Sequence, residues 1–254
     1  MKNNILLKSK KILILISCAS VIFFTSCAGN GKISKRGKDL NIIEYEGKDK
    51  FISYQVTYPD FKKHKEIGKK FKKITKNEIN SMRNLAKEDY QVRKQWLLAE
   101  GISGKSELKN LMMPYDYEFN FTDYYENQDI LNFFMSSYQF CGGAHGFHTL
   151  ISYCYDKNKE RFLTPQEFKA YLGITEEEIS AFVRKEAMNE ENLQDCIDEQ
   201  WIRSGTEPND HCFDIIYYDG NRNILEIFIP PYQIGPYACG SFLFEYPLKA
   251  AQKK

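Results

Sequence analysis

The sequence predicts an α+β domain in which an antiparallel β-meander and hairpins pack against one long N-terminal helix and a shorter C-terminal helical pair. Three observations carry this. Apolar residues recur at spacings of three and four over residues 61–99, the period switches to two from Tyr115 onward, and two capping boxes open helices after residue 160.

Each element follows in order. Residues 28–40 (AGNGKISKRGKDL) are polar and glycine-containing, as expected of a flexible tether. Ile42–Tyr58 has strand character, and Pro59 is expected to end it. On the long helix, Ile67, Phe71, Ile74, Met82 and Leu85 form an apolar stripe that Ile79, Ala86 and Tyr90 widen. Lys62, Lys63, Lys65, Lys69, Lys70, Lys72 and Lys73 surround its start and read as a solvated face. Trp96, Leu97 and Leu98 close it before Gly101.

Tyr117, Phe119 and Phe121 then alternate with polar residues, and strands over Ile130–Phe140 and Phe147–Tyr155 complete a meander. Thr164-Pro165-Gln166-Glu167 and Thr175-Glu176-Glu177-Glu178 are capping boxes, with threonine as cap and glutamate three residues on. Helix is expected from there to about Ile202. A hairpin, Cys212–Tyr218 with Asn223–Ile229, turns at Asp219-Gly220-Asn221, and a last strand covers Ser241–Pro247. This divides the chain into residues 1–26, 27–40, 41–160 and 161–250: leader, tether, and two α+β subdomains.

The leader has a positive start (Lys2, Lys8, Lys10, Lys11), a 13-residue apolar run from Ile12 to Phe24, then small residues before Cys27. That is the layout of a secretory signal, and a helix of roughly 20 Å is too short for a hydrocarbon core of about 30 Å. Phe24-Thr25-Ser26-Cys27 resembles the lipobox of bacterial lipoproteins, with Phe where Leu is commoner. The resemblance implies acylation of Cys27 and an envelope location, periplasmic or cell-surface, with the membrane as partner through that lipid. Cys18 is a rival with a shorter apolar run before it.

Charge divides sharply along the chain. Residues 28–76 carry 14 basic and 6 acidic side chains, a balance of +8, whereas residues 77–254 carry 17 and 28, a balance of −11. An exported acidic body excludes nucleic acid as an expected partner and favours cationic ones. Cys141, Cys154, Cys196, Cys212 and Cys239 allow up to two disulfides, in fifteen possible pairings. None of their spacings is a Cys-x-x-Cys motif, so no metal or cofactor is expected.

Two loops are the candidate site. In Gly142-Gly143-Ala144-His145-Gly146-Phe147-His148 the glycines permit positive φ. His145 and His148 are three apart, but that spacing aligns ligands only on a helix and no acidic third ligand lies within the turn. In Pro230-Pro231-Tyr232-Gln233-Ile234-Gly235-Pro236-Tyr237-Ala238-Cys239-Gly240 the prolines pre-order the chain, so Tyr232, Pro236 and Tyr237 can be presented at low entropic cost. Simple cover of the core edge is the plainer role for both tyrosines. No Gly-x-Ser-x-Gly, Gly-x-x-x-x-Gly-Lys or His-Glu-x-x-His occurs, and no catalytic residue is assigned.

The Gly142-Gly143-Ala144-His145 turn, the Thr164-Pro165-Gln166-Glu167-Phe168 helix start and the closing loop through Gly240 resemble the extracytoplasmic domain of RsiV-type anti-sigma factors. The same domain precedes the catalytic domain of PdaC-type peptidoglycan deacetylases, and the resemblance covers roughly residues 41–250. It implies an α+β fold and an envelope binding role, with lysozyme-like basic proteins or peptidoglycan as partners. The chain departs from those families in lacking a sigma-binding segment, a transmembrane helix and a deacetylase domain, so neither anti-sigma activity nor deacetylation is implied. The remaining alternatives are a wall-glycan hydrolase that brings scattered carboxylates together, and a structural envelope lipoprotein.

Overall fold

The computed structural model describes residues 32–35, 39–104, 113–189, 197–209 and 212–248. The leader, Cys18, Cys27 and Cys196 lie outside them. Among the described residues, ten strands form two sheets of seven and three. The first runs in chain order: β1 (Lys32–Lys35), β2 (Leu40–Lys48), β3 (Ile52–Phe61), β4 (Tyr115–Glu126), β5 (Ile130–Phe140), β6 (Phe147–Asp156) and β7 (Arg161–Leu163). The second, ordered β10-β9-β8, comprises β8 (Ile216–Asp219), β9 (Ile224–Ile229) and β10 (Phe242–Pro247). The helices are α1 (Lys65–Ala99), α2 (Pro165–Leu172), α3 (Glu176–Asn189) and α4 (Glu199–Gly205).

The α+β class is as predicted, with four departures. Lys32–Lys35, expected within the tether, pairs with Asn41–Glu44 and covers the edge that β2 would otherwise expose. The single strand expected over 42–58 is a hairpin, turned where the Asp49 carboxylate accepts the amides of Phe51 and Ile52. Strand β3 runs through Pro59 to Phe61, because its pairing with β4 stops at Val56 and leaves the missing N–H of proline no ladder to break. Strands β3 and β4 are parallel, joined by α1 as a crossover, so only β4 onward is a meander.

Strand β5 explains the layering, for it is buried on both faces. Leu131, Phe133 and Met135 join the core under α1, whereas Ile130 and Phe134 point the other way, to the second sheet and its helices. A three-layer stack results: helix, large sheet, small sheet with α2–α4. In the first core, Phe71 packs against rings from five strands: Tyr58, Phe119, Phe133, Tyr153 and Phe162. Lys70 lies over Phe162 at 4.0 Å rather than in open solvent, and its partial burial lowers its pKa.

Helix α1 outruns the sheet. At 1.5 Å per residue its 35 residues span roughly 52 Å, against about 33 Å for the ten residues of β3. Ala86 is its last buried residue, and Leu85, placed in the predicted stripe, is exposed.

Both capping boxes form. Thr164 Oγ1 accepts the Glu167 amide and Glu167 accepts the Thr164 amide, and Thr175 and Glu178 repeat the exchange. Gly173 ends α2 in the left-handed region at φ 67°. Just beyond it, Glu176 accepts from the buried Lys169 ammonium at 2.5 Å, pinning α3 to α2. The helical stretch predicted to reach Ile202 includes a separate short α4, capped by Asp198.

Phe71 is fully buried amid five rings, so Phe71→Ala should destabilise the protein by about 3–5 kcal/mol. Urea denaturation is the check, with the midpoint falling and the slope unchanged.

Candidate functional site

The two glycine- and proline-rich loops meet. Gly142 and Gly143 adopt φ of 86° and 98°, which turns the chain from β5 into β6 and exposes His145. Gly146 is required for a different reason: a Cβ there would lie 2.4 Å from the Tyr138 ring. Tyr237 crosses from the other loop and donates its hydroxyl to the Gly146 carbonyl at 2.7 Å. Its ring stacks on His145, with centroids 3.8 Å apart and planes 15° from parallel. Tyr232 lies 5.6 Å from Tyr237, centroid to centroid.

Several contacts hold the second loop. Pro236 caps a single 3-10 turn, Tyr237–Cys239, which fixes the direction of Tyr237. Gln233 Nε2 donates to the carbonyls of Gly205 (3.0 Å) and Cys212 (2.9 Å), and Trp201 Nε1 donates to that of Tyr232 (3.3 Å). Tyr232 sits at φ 72°, in the left-handed region where a bulky residue is strained, at a cost of order 1–3 kcal/mol. These bonds hold it there, with the residue 53% exposed. Trp201 is 37% exposed, His145 is exposed and Tyr237 is half-buried, so the rings form a ledge partly open to solvent.

Of the sequence-predicted residues, Gly142, Gly143, His145, Tyr232, Pro236 and Tyr237 build or support this ledge. His148 does not. It belongs to a row across the sheet, Glu118–Tyr138–His148, and burial depresses its pKa despite the nearby Glu118. The two histidines therefore sit in different environments, one on the loop and one in strand β6. Trp201 was not predicted. Its signal is an indole placed next to Ile202, the only buried side chain of α4.

Cysteines bracket the ledge. Cys239 is disulfide-bonded, and because Cys141, Cys154 and Cys212 are free thiols its partner lies outside the described residues. Burial pushes the Cys141 thiol up, as do the nearby Asp89 and Glu78 carboxylates. Asp89 also accepts the Tyr115 hydroxyl.

A partly exposed aromatic ledge on a two-sheet α+β scaffold is the candidate site. Comparison with known proteins narrows this. Residues 45–148, from β2 into β6 and including the glycine turn, match the family described as Deacetylase PdaC. No curated protein matches the chain. A solved member of the DUF3298 family from Bacteroides fragilis shares the fold, at TM-score 0.54 and 16% identity, covering 87% of this chain and 92% of that one. A DUF3298 family protein from Pseudomonas aeruginosa aligns at TM-score 0.44 and 13% identity, over 88% and 91% of the two chains. The resemblance read from the glycine turn thus stands for the matched region: the chain is similar there to a PdaC-type domain and shares the fold of a DUF3298 protein.

With its pKa raised, Cys141 holds less thiolate at neutral pH than a free cysteine. Its alkylation by iodoacetamide, followed by peptide mass spectrometry, should lag an unfolded control at pH 7 and catch up only as pH rises past the ordinary thiol range. Asp89→Asn should speed it.

Proposed function

We propose that this protein is a lipid-anchored binding module of the bacterial cell envelope, which captures lysozyme-like basic proteins or peptidoglycan fragments on the ledge of His145, Tyr232, Tyr237 and Trp201. The observation that carries this is the His145–Tyr237 stack, its imidazole exposed and its phenol half-buried, made by residues 92 positions apart and bordered by a strained, exposed tyrosine. A surface that only covered a core would not leave His145, Tyr232 and Trp201 exposed and would need no strained Tyr232.

The physics favours recognition over chemistry. Rigid aromatic rings lose little conformational entropy on contact, and they serve equally as anchors in a protein interface and as faces for sugar C–H groups. The pre-ordered prolines and the backbone bonds to Gln233 and Trp201 keep the rings in place before a ligand arrives. The negative balance of residues 77–254 adds long-range attraction for a basic partner. The lipid anchor on Cys27 and the extracytoplasmic location rest on the leader sequence and on the resemblance to envelope domains.

Residues 28–254 should bind lysozyme or purified peptidoglycan, and Tyr232→Ala with Trp201→Ala should weaken that binding at least about tenfold, the scale of a lost aromatic anchor. Surface plasmon resonance for the protein and pelleting for the polymer are the measurements. Unchanged binding in the double variant would remove the ledge from the account.

A further inference from the structure

Helix α1 carries a line of cations along nearly its whole length. At about 3.6 residues per turn, positions 65, 69, 72, 76, 83, 87, 90 and 94 fall within a strip about 60° wide, to the side of the buried stripe. Seven of these eight are Lys or Arg: Lys65, Lys69, Lys72, Lys76, Arg83, Lys87 and Lys94. The eighth, Tyr90, has the Lys50 ammonium 3.6 Å from its ring centroid. No acidic residue of α1 falls in the strip; Glu66, Glu78, Glu88 and Asp89 all lie elsewhere on the helix. The strip's neighbouring carboxylates are already engaged, Asp60 with Lys65 and Asp49 with Arg83. Among the described residues no carboxylate pairs with Lys69, Lys72, Lys76 or Lys94. An ordinary solvated helix face mixes both signs, since i,i+4 pairs of opposite charge stabilise it and like charges do the reverse. Here like charges recur at that spacing.

We infer that this face of α1 docks on an anionic lipid surface. Three features point to lipid. The cations are nearly all lysines, which act as mobile point charges and suit a diffuse field of headgroups, whereas a defined phosphate site favours the arginine fork. They form one straight line on a convex element, so a flat surface meets them together, while a single polymer strand would be gripped from one side only. Leu98, one turn past Lys94 on nearly the same side, is 47% exposed and offers an apolar contact at the headgroup boundary. The sequence ahead of β2 is basic as well, with Lys32, Lys35, Arg36 and Lys38. The inference is independent of what the aromatic ledge binds.

The test uses residues 28–254 without any acyl chain, sedimented with phosphatidylcholine vesicles or with vesicles that also contain phosphatidylglycerol. Binding should need phosphatidylglycerol and should weaken steeply from low to physiological salt, as expected for contacts within a Debye length of about 8 Å. Lys72→Gln with Lys76→Gln should reduce it about fivefold or more, while the matched pair Lys159→Gln with Lys185→Gln, also exposed, leaves it unchanged. Circular dichroism confirms that both variants are folded. Equal losses in the two pairs, no binding at low salt, or equal binding to both vesicles would overturn the proposal. So would soluble polyphosphate binding tighter than the vesicles, since the partner would then be a polymer.

Discussion

The small sheet has an edge strand that the large sheet completes with side chains, and the position of the candidate site depends on that join. In β8 the backbone groups of Ile216 and Tyr218 point away from β9, where an edge strand normally leaves them open. Asn132, fully buried in β5, accepts the Tyr218 amide on Oδ1 at 2.7 Å. Its Nδ2 donates to the Tyr153 carbonyl at 3.1 Å, so both ends of the amide are used. Ser152, beside it in β6, donates to the Ile216 carbonyl. An unsatisfied polar group at this depth costs about 1–3 kcal/mol, so the two sheets have one favourable register and a slipped one orphans several groups at once. Ring stacking of Phe134 on Tyr217, 5.3 Å apart, adds the apolar half of the contact.

The candidate site follows from that register. The glycine turn belongs to the large sheet and the tyrosine loop to the small one, so Tyr237 reaches the Gly146 carbonyl only because the sheets are docked this way. The aromatic ledge is therefore a product of layer packing. The charge separation works on a larger scale, with the cationic line on the helical layer and the acidic excess in the remainder of the chain.

Local signals in the sequence were the ones that could be read. Strand β5 occupies Ile130–Phe140 as its composition indicates, and both threonine caps form, because alternation and capping boxes act over a few residues. Partner choice was hidden. Period-two alternation in Tyr115–Phe121 is the same whether β4 pairs parallel or antiparallel, and the parallel β3–β4 pairing depends on a crossover of 53 residues between Phe61 and Tyr115. Pro59 looks like a stop from sequence, which does not show that the pairing of β3 with its outer neighbour β4 already ends at Val56.

The site was half legible for the same reason. Gly142, Gly143 and the prolines announce unusual backbone, but tyrosine is not a residue that suggests φ 72°, and nothing near Tyr232 points to Trp201. The His145–His148 spacing drew attention to two imidazoles that different environments claim, one on a ledge and one in a strand.

The most direct test of the sheet-to-sheet join is the native-state hydrogen exchange rate of the Tyr218 amide. Protection comparable to that of the central amides of β5 is expected, because the partner of this amide is a buried side chain fixed at its other end. Exchange as fast as that of an open edge strand, with β5 still protected, would contradict it.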